Sequence, residues 1–170
     1  MSELDERLGA HTHPLLGRGS IHASQISGGG ELSSYPASCV LELERRTLPG
    51  ETAADVEAEL SELLDACRAA DPDLRATQRT LLVRDPFEVA QDAELVAVVR
   101  EAAAGVLGCA PPIGGASFWA DAAFIVAAGI PTVMFGPGGE GAHAHVEWVS
   151  IADTDAVACT LLEVARRVCA

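Results

Sequence analysis

The chain has 170 residues, of which 49% are hydrophobic, and its formal net charge is −14. This length supports one ordinary domain or two small lobes, and the hydrophobic content argues against disorder. The negative charge would repel nucleic-acid phosphates and anionic membrane surfaces, so we expect neither as a partner. Five widely spaced cysteines without a CxxC pair, and the lack of a leader-like or membrane-spanning apolar run, predict a reduced, cytoplasmic protein.

The first half of the chain is predicted to form an antiparallel sheet with a helix on one face. Residues 1–19 are polar with scattered Gly, His and Pro, and they predict a lead-in with no strong element. Strands are predicted over 20–26 and 37–47, separated by the turn-forming GGGELSSYP. In the second strand apolar and charged residues alternate, which predicts one apolar and one charged face.

A helix is predicted to follow these strands, from a capping box at Thr52 and Asp55 to about residue 70. Its apolar side chains fall on one stripe: Val56, Leu60, Leu63, Leu64 and Cys67. A further strand over 74–83 would close this lobe. We place the lobe at residues 20–84.

Residues 85–170 are predicted to form a second lobe of the α/β type, because the composition changes after RDPFE. A helix is predicted from Asp92 to about Leu107, and a short apolar helix should end at Gly129. The apolar run PTVMF at 131–135 is typical of a strand buried in a parallel sheet.

A last helix is predicted from Asp153, burying Val157, Leu161, Val164 and Val168. One central strand and three helices are too few for a parallel sheet with covered faces. We therefore expect this half to be part of a larger core.

The stretch FGPGGEGAHAHVEWV concentrates glycines and candidate ligands. Gly136, Gly138 and Gly141 match GxGxxG, but no helical stripe follows until residue 153, so a dinucleotide loop is weakly indicated. His143 and Glu147 suit zinc, yet one short segment rarely supplies a whole ligand set. A solvated loop with an incidental histidine pair is the alternative.

Arg46 ends the charged face of its strand, and a guanidinium there could bind a carboxylate through two hydrogen bonds. A solvated face with Glu42 and Glu44 is the ordinary alternative. Asp121 follows GGASFWA at a loop-to-helix junction, where an N-terminal cap is the simplest interpretation.

In order along the chain, these segments resemble the C-terminal part of a family of metallohydrolases. The family contains acetylornithine deacetylase, succinyl-diaminopimelate desuccinylase, aminoacylase and glutamate carboxypeptidase. The matching segments are HPLLGRGSIHASQISGGGELSSYP, LELERRTLPGET, RDPFEV, GGASFWADAAF, AGIPTVMFGPGGEGAHAHVEW and the final helix.

The resemblance implies a partial ferredoxin-like lid lobe, which also makes a homodimer contact, followed by the C-terminal part of an α/β zinc-hydrolase catalytic domain. It implies a two-zinc site, with cobalt or manganese as alternatives, that cleaves the amide bond of N-acyl amino acids or small peptides. His143 would be a zinc ligand, and Arg46 would bind the substrate carboxylate. Gly136 and Gly138 would line that pocket, and Asp121 lies in a turn near the site.

The family's His-x-Asp and Glu-Glu motifs, which supply further ligands and the general base, have no counterpart in the sequence. One matched ligand cannot hold a catalytic zinc, which needs about three protein ligands. We therefore expect a fragment that is inactive without an N-terminal half encoded upstream. A non-catalytic dimerisation or carboxylate-binding module is the alternative.

Overall fold

The computed structural model describes residues 2–142 and 144–169 of the chain. Across these residues the fold is mixed α/β, with helices and short antiparallel strand pairs, and it divides into two compact units. The first unit comprises the chain up to Pro86 together with Gly115–Trp119, and the second comprises Phe87–Gly114 and the chain from Ala120 onward. The predicted division at residues 19 and 84 stays a prediction.

The first unit is built around one two-stranded ribbon and two helices. Its elements are α1 (Ser2–Gly9), β1 (Thr12–His13), β2 (Gly17–Arg18), β3 (Ser20–Gly28), β4 (Cys39–Arg46) and α2 (Ala53–Ala70). Strands β3 and β4 pair antiparallel, with Ser20 opposite Arg46 and an irregularity between Ala23 and Gln25. This pair confirms the two predicted strands and the turn between them.

Helix α1 corrects the prediction that residues 1–19 hold no strong element. Leu4 and Leu8 are four residues apart, so they lie on one face of the helix, and they are only 2% and 4% exposed. They form a small core with Ile21 of β3, against which Leu60 and Leu63 of α2 also pack. The prediction failed because the partners that stabilise α1 lie outside residues 1–19, in β3 and α2.

Helix α2 begins as predicted at a capping box. The Thr52 hydroxyl accepts a hydrogen bond from the Asp55 backbone N–H at 3.2 Å, and the Asp55 carboxylate accepts one from the Thr52 N–H at 2.8 Å. These bonds satisfy donors that have no partner inside the helix. The predicted apolar stripe is half-buried from Val56 to Leu64, whereas Cys67 is exposed.

The strand predicted over 74–83 is wrong, because this fully described segment is irregular. Its polar groups bond to α2: the Gln78 amide donates to the Glu57 carbonyl at 2.9 Å, and the Arg68 guanidinium donates to the Ala76 carbonyl at 2.6 Å. A strand needs a neighbouring strand to pair its backbone groups. Here the segment follows the helix instead.

The second unit contains three helices and one short hairpin among its described residues. Its elements are α3 (Glu94–Leu107), α4 (Ala122–Ala127), β5 (Gly139–Glu140), β6 (Trp148–Val149) and α5 (Ile151–Val168). Helices α3 and α5 pack against each other. No helix in the described ranges is both long enough and apolar enough to cross a membrane.

Two of the three helix starts in the second unit differ from the predicted ones. Helix α3 starts after Ala93, which makes no side-chain capping bond, and not at Asp92. Asp121 lies at the N-cap position of α4, but its side chain makes no capping bond. Helix α5 begins two residues earlier than predicted, because the Ser150 hydroxyl accepts the Asp153 N–H at 3.2 Å.

The buried face of α5 is rotated from the predicted stripe. Val157 and Val164 are half-buried as predicted, but Leu161 and Val168 are exposed. Thr160, which the hydrophobic pattern omitted, is fully buried. The buried face of α5 therefore includes a polar residue, Thr160, in place of its apolar neighbour Leu161.

The strand predicted at 131–135 is also wrong, since this segment is irregular. The Thr132 hydroxyl donates to the Ile130 carbonyl at 2.9 Å, a local bond typical of a turn. Apolar residues alone do not make a strand, because the backbone N–H and C=O groups need a neighbour. All strand pairs in the described part of the chain are antiparallel.

Candidate functional site

Two adjacent arginines at the end of β4 have different surroundings, because successive side chains of a strand point to opposite faces. The Arg45 side chain is 5% exposed; its Nη2 lies 2.6 Å from Glu51 Oε1, and its Nε lies 3.5 Å from Glu59 Oε2. Glu59 belongs to α2. Arg45 therefore ties the strand to the helix.

Arg46 is the accessible member of the pair, with 46% of its side chain exposed. Its Nε donates to Glu44 Oε1 at 2.8 Å, and its Nη1 donates to the Ser117 carbonyl at 3.3 Å. An exposed guanidinium with this geometry can exchange partners with a carboxylate from solution. The structure thus places Arg46 where a ligand could reach it.

The segment Gly115–Trp119, which we call the strap, belongs to the first unit although its flanking residues belong to the second. A Cβ at Gly115 would lie 2.8 Å from the Leu15 carbonyl oxygen, so the strap passes close to the backbone there. At its other end, Arg84 Cζ lies 5.4 Å from the ring centroid of Trp119, within the range of a cation–π contact.

The alternation along β4 predicts the face on which Arg46 lies, but it does not predict the contact with the strap. Ser117 is 71 residues further along the chain, so no local pattern joins the two. The sequence contains the residue types of a cation–π pair, Arg84 and Trp119, but residue types alone do not show which arginine contacts which tryptophan.

Gly136 and Gly138 lie in the second unit. A Cβ at Gly136 would meet open space, whereas one at Gly138 would lie 2.7 Å from Asp153 Oδ2. The Gly138 carbonyl accepts a hydrogen bond from the Ser150 N–H at 2.9 Å. Gly138 therefore packs closely against the start of α5, while Gly136 leaves free space beside it.

The residues after Gly138 form the β5–β6 hairpin and not a helix. Glu140 pairs with Trp148 in this hairpin. Gly141 has a φ of 79°, and a Cβ there would collide with the Val146 carbonyl oxygen. A dinucleotide-binding glycine loop would open a helix, so this geometry contradicts the weak nucleotide interpretation.

The loop of this hairpin carries the candidate metal ligands. His143 lies outside the described residues, and His145 and Glu147 are exposed. Across the described ranges, no three His, Cys, Asp or Glu side chains come together as a metal-binding group. Because a catalytic zinc needs about three protein ligands, the described residues do not fit a zinc site by themselves.

The comparisons with known proteins concern nearly the whole chain. The model of a family described as Peptidase family M20/M25/M40 matches residues 9–167, which include β3, β4 and the hairpin. No curated protein matches the chain. Since the family match covers well over half of the sequence, the chain belongs to peptidase family M20/M25/M40.

Proposed function

We propose that the chain is part of a metal-dependent amidohydrolase that cleaves the amide bond of N-acyl amino acids or small peptides. Deacetylase, desuccinylase and carboxypeptidase activities are the reaction types within this class. The family match over residues 9–167 carries the proposal. The exposed guanidinium of Arg46 supports a substrate with a free carboxylate.

Each candidate residue has a separate role in this proposal. Arg46 binds the substrate carboxylate, and Gly136 and Gly138 belong to a loop that lines the substrate pocket. His143 supplies one ligand to a zinc site that binds two ions when complete, with cobalt or manganese as alternatives. When bound, the metal would polarise the amide carbonyl and lower the pKa of a water molecule.

The remaining metal ligands and the general base come, in this proposal, from residues outside these 170. The absence of His-x-Asp and Glu-Glu motifs from the sequence supports this. A segment encoded upstream is the source we favour.

A lid lobe of the ferredoxin-like type, built on β3, β4 and α2, would provide a homodimer contact. Five free, exposed thiols suit a reducing compartment, so we place the protein in the cytoplasm.

Metal stoichiometry and hydrolysis together test the proposal. The purified chain, with Zn²⁺ and a panel of N-acetyl amino acids, should show negligible hydrolysis. Mixing it with an upstream segment that carries the missing motifs should give two zinc ions per chain and measurable turnover. His143→Ala should lower the zinc content of that mixture, whereas His145→Ala serves as the matched control in the same loop.

Two results would contradict this function. Turnover by the chain alone would show that it needs no second segment. A mixture that binds no zinc and hydrolyses nothing would remove the enzyme interpretation itself.

The second candidate is a non-catalytic module that binds carboxylates or mediates dimerisation. The exposure of Arg46 supports this module as it supports the enzyme, because carboxylate binding by a guanidinium requires no metal. Carboxylate binding that depends on Arg46, with no zinc bound under any condition, would support this module over the enzyme.

A further inference from the structure

The guanidinium of Arg46 has two edges that can bind a carboxylate through parallel hydrogen bonds, Nε with Nη2 and Nη1 with Nη2. On each edge, one nitrogen already donates a hydrogen bond within the protein. Nε donates to Glu44, and Nη1 donates to the Ser117 carbonyl. The Nε edge is distinctive because an anion occupies it.

We propose that Glu44 is an intramolecular competitor for the ligand carboxylate at Arg46. A ligand that binds the Nε edge must displace a carboxylate that the strand itself supplies. The Ser117 carbonyl holds the guanidinium from its Nη1 side, so the arginine stays in place during the exchange. This inference rests on the proposed role of Arg46 in carboxylate binding.

The surroundings of the pair make the exchange feasible. The side chains of Arg46 and Glu44 are 46% and 55% exposed, so both can be resolvated when the contact opens. Exposed ion pairs of this type are weak, and their measured strengths correspond to a change of about two- to fivefold in an equilibrium constant. Glu44 should therefore weaken ligand binding by about this factor without preventing it.

Glu42 provides a matched control on the same strand. It lies two residues before Glu44, so its side chain projects from the same face, and it is exposed. In the strand pair it is opposite Gln25, whereas Glu44 is opposite His22. Neutralising either glutamate changes the net charge equally, but only Glu44 contacts Arg46 through an ion pair within the described residues.

The strap supplies a reporter for the exchange. The chain has two tryptophans, so Trp148→Phe leaves Trp119 as the sole indole. Trp119 ends the strap that Arg46 holds through Ser117. When a ligand binds Arg46, the NMR resonances of the Trp119 indole N–H and of the Arg46 Nε–H should both shift. The Arg46 resonance is assigned by its disappearance in Arg46→Met.

The experiment is an NMR titration of the full chain with N-acetylglycine in the Trp148→Phe background. N-acetylglycinamide, which lacks the carboxylate, is the ligand control. We expect saturable shifts with N-acetylglycine that disappear in Arg46→Met. Glu44→Gln should tighten binding about two- to fivefold, whereas Glu42→Gln should match the parent.

The outcomes separate this inference from the proposed function. Arg46-dependent binding that Glu44→Gln and Glu42→Gln affect equally would overturn the competition but leave the role of Arg46 standing. Failure of every variant to bind N-acetylglycine through Arg46 would overturn both.

Discussion

The hydroxyl of Thr160 is a buried polar group on α5. Its residue is fully buried, and Oγ1 has no hydrogen-bond partner among the described residues. A buried polar group without a partner loses its hydration and gains nothing in return. The buried hydroxyl of Thr160 therefore lowers the stability of the protein.

Thr160→Val should raise the free energy of unfolding by about 1 kcal/mol, because a methyl group replaces the hydroxyl without changing the shape of the side chain. Chemical denaturation measures the change. Thr154→Val is the control, since the Thr154 hydroxyl donates to the Ser150 carbonyl at 2.8 Å and is exposed, so its loss should not stabilise the protein. Equal effects at both positions would show that burial of the hydroxyl is not the cause.

The capping box at the start of α2 gives a pH dependence. The side-chain hydrogen bond from Thr52, and then its backbone N–H, hold the pKa of Asp55 below its ordinary value. A lowered folded-state pKa stabilises the protein above the unfolded pKa, and this stabilisation is lost as pH falls through the folded pKa.

Thr52→Ala should therefore lower Tm at neutral pH by more than it does in acid, where Asp55 is protonated in both proteins. Thermal denaturation across the acid range measures this difference. Asp55→Asn removes the titrating group, so in that background the effect of Thr52→Ala should no longer vary through the Asp55 range. A constant difference between Thr52→Ala and the parent at all pH values would contradict the assignment.

At the scale of elements, β4 is joined to α2 by one nearly buried arginine. Arg45 lies between Glu51 and Glu59, whose side chains are 26% and 25% exposed. Removing one member of such a group leaves its partners without compensation, which costs more than the intact pair contributes.

Arg45→Met should lower the free energy of unfolding by about 3 kcal/mol. Arg46→Met, one position along the same strand, should change it by less than about 1 kcal/mol, because its ion pair is exposed. Urea denaturation of the two variants makes the comparison. Equal destabilisation would show that Arg45 does not carry the contact between strand and helix.

Local signals predicted β3, β4 and α2 well, because alternation, turn residues and a capping box each act within a few positions. The strands at 74–83 and 131–135 were wrong for the opposite reason. Strand formation depends on a partner that the segment itself does not encode, and 74–83 bonds to α2 instead. Helix α1 was missed because its two leucines pack on residues from β3 and α2.

The same contrast holds for the candidate site. Alternation along β4 predicts which face Arg46 occupies, but the roles of Arg45 and Ser117 depend on elements distant in sequence. The contact between Arg46 and Ser117 spans 71 residues. The metal interpretation of His143 and the pocket interpretation of Gly136 and Gly138 stay predictions.

At the scale of the molecule, many large apolar side chains are exposed while the chain carries a net charge of −14. In the second unit they include Phe124, Ile130, Trp148 and Ile151. Apolar exposure favours association, and like charge opposes it. The balance between the two should depend on ionic strength, because salt screens the charge and leaves the apolar surface unchanged.

We therefore expect self-association that increases with added salt. Light scattering across a range of sodium chloride and protein concentrations measures it. Ile151→Ser, which replaces a side chain that is 81% exposed, should reduce association, with Ser24→Ala as a control at an exposed polar position. A monodisperse monomer at low and high salt would contradict the expectation.

The strap also imposes an order on synthesis. All but five residues of the first unit have been synthesised when Pro86 is translated, but those five, Gly115–Trp119, follow the second unit's first segment, Phe87–Gly114. Domains that are contiguous in sequence can fold as soon as they emerge. Here Arg46 and Arg84 must wait for Ser117 and Trp119, so neither unit can be completed before translation of the other has begun.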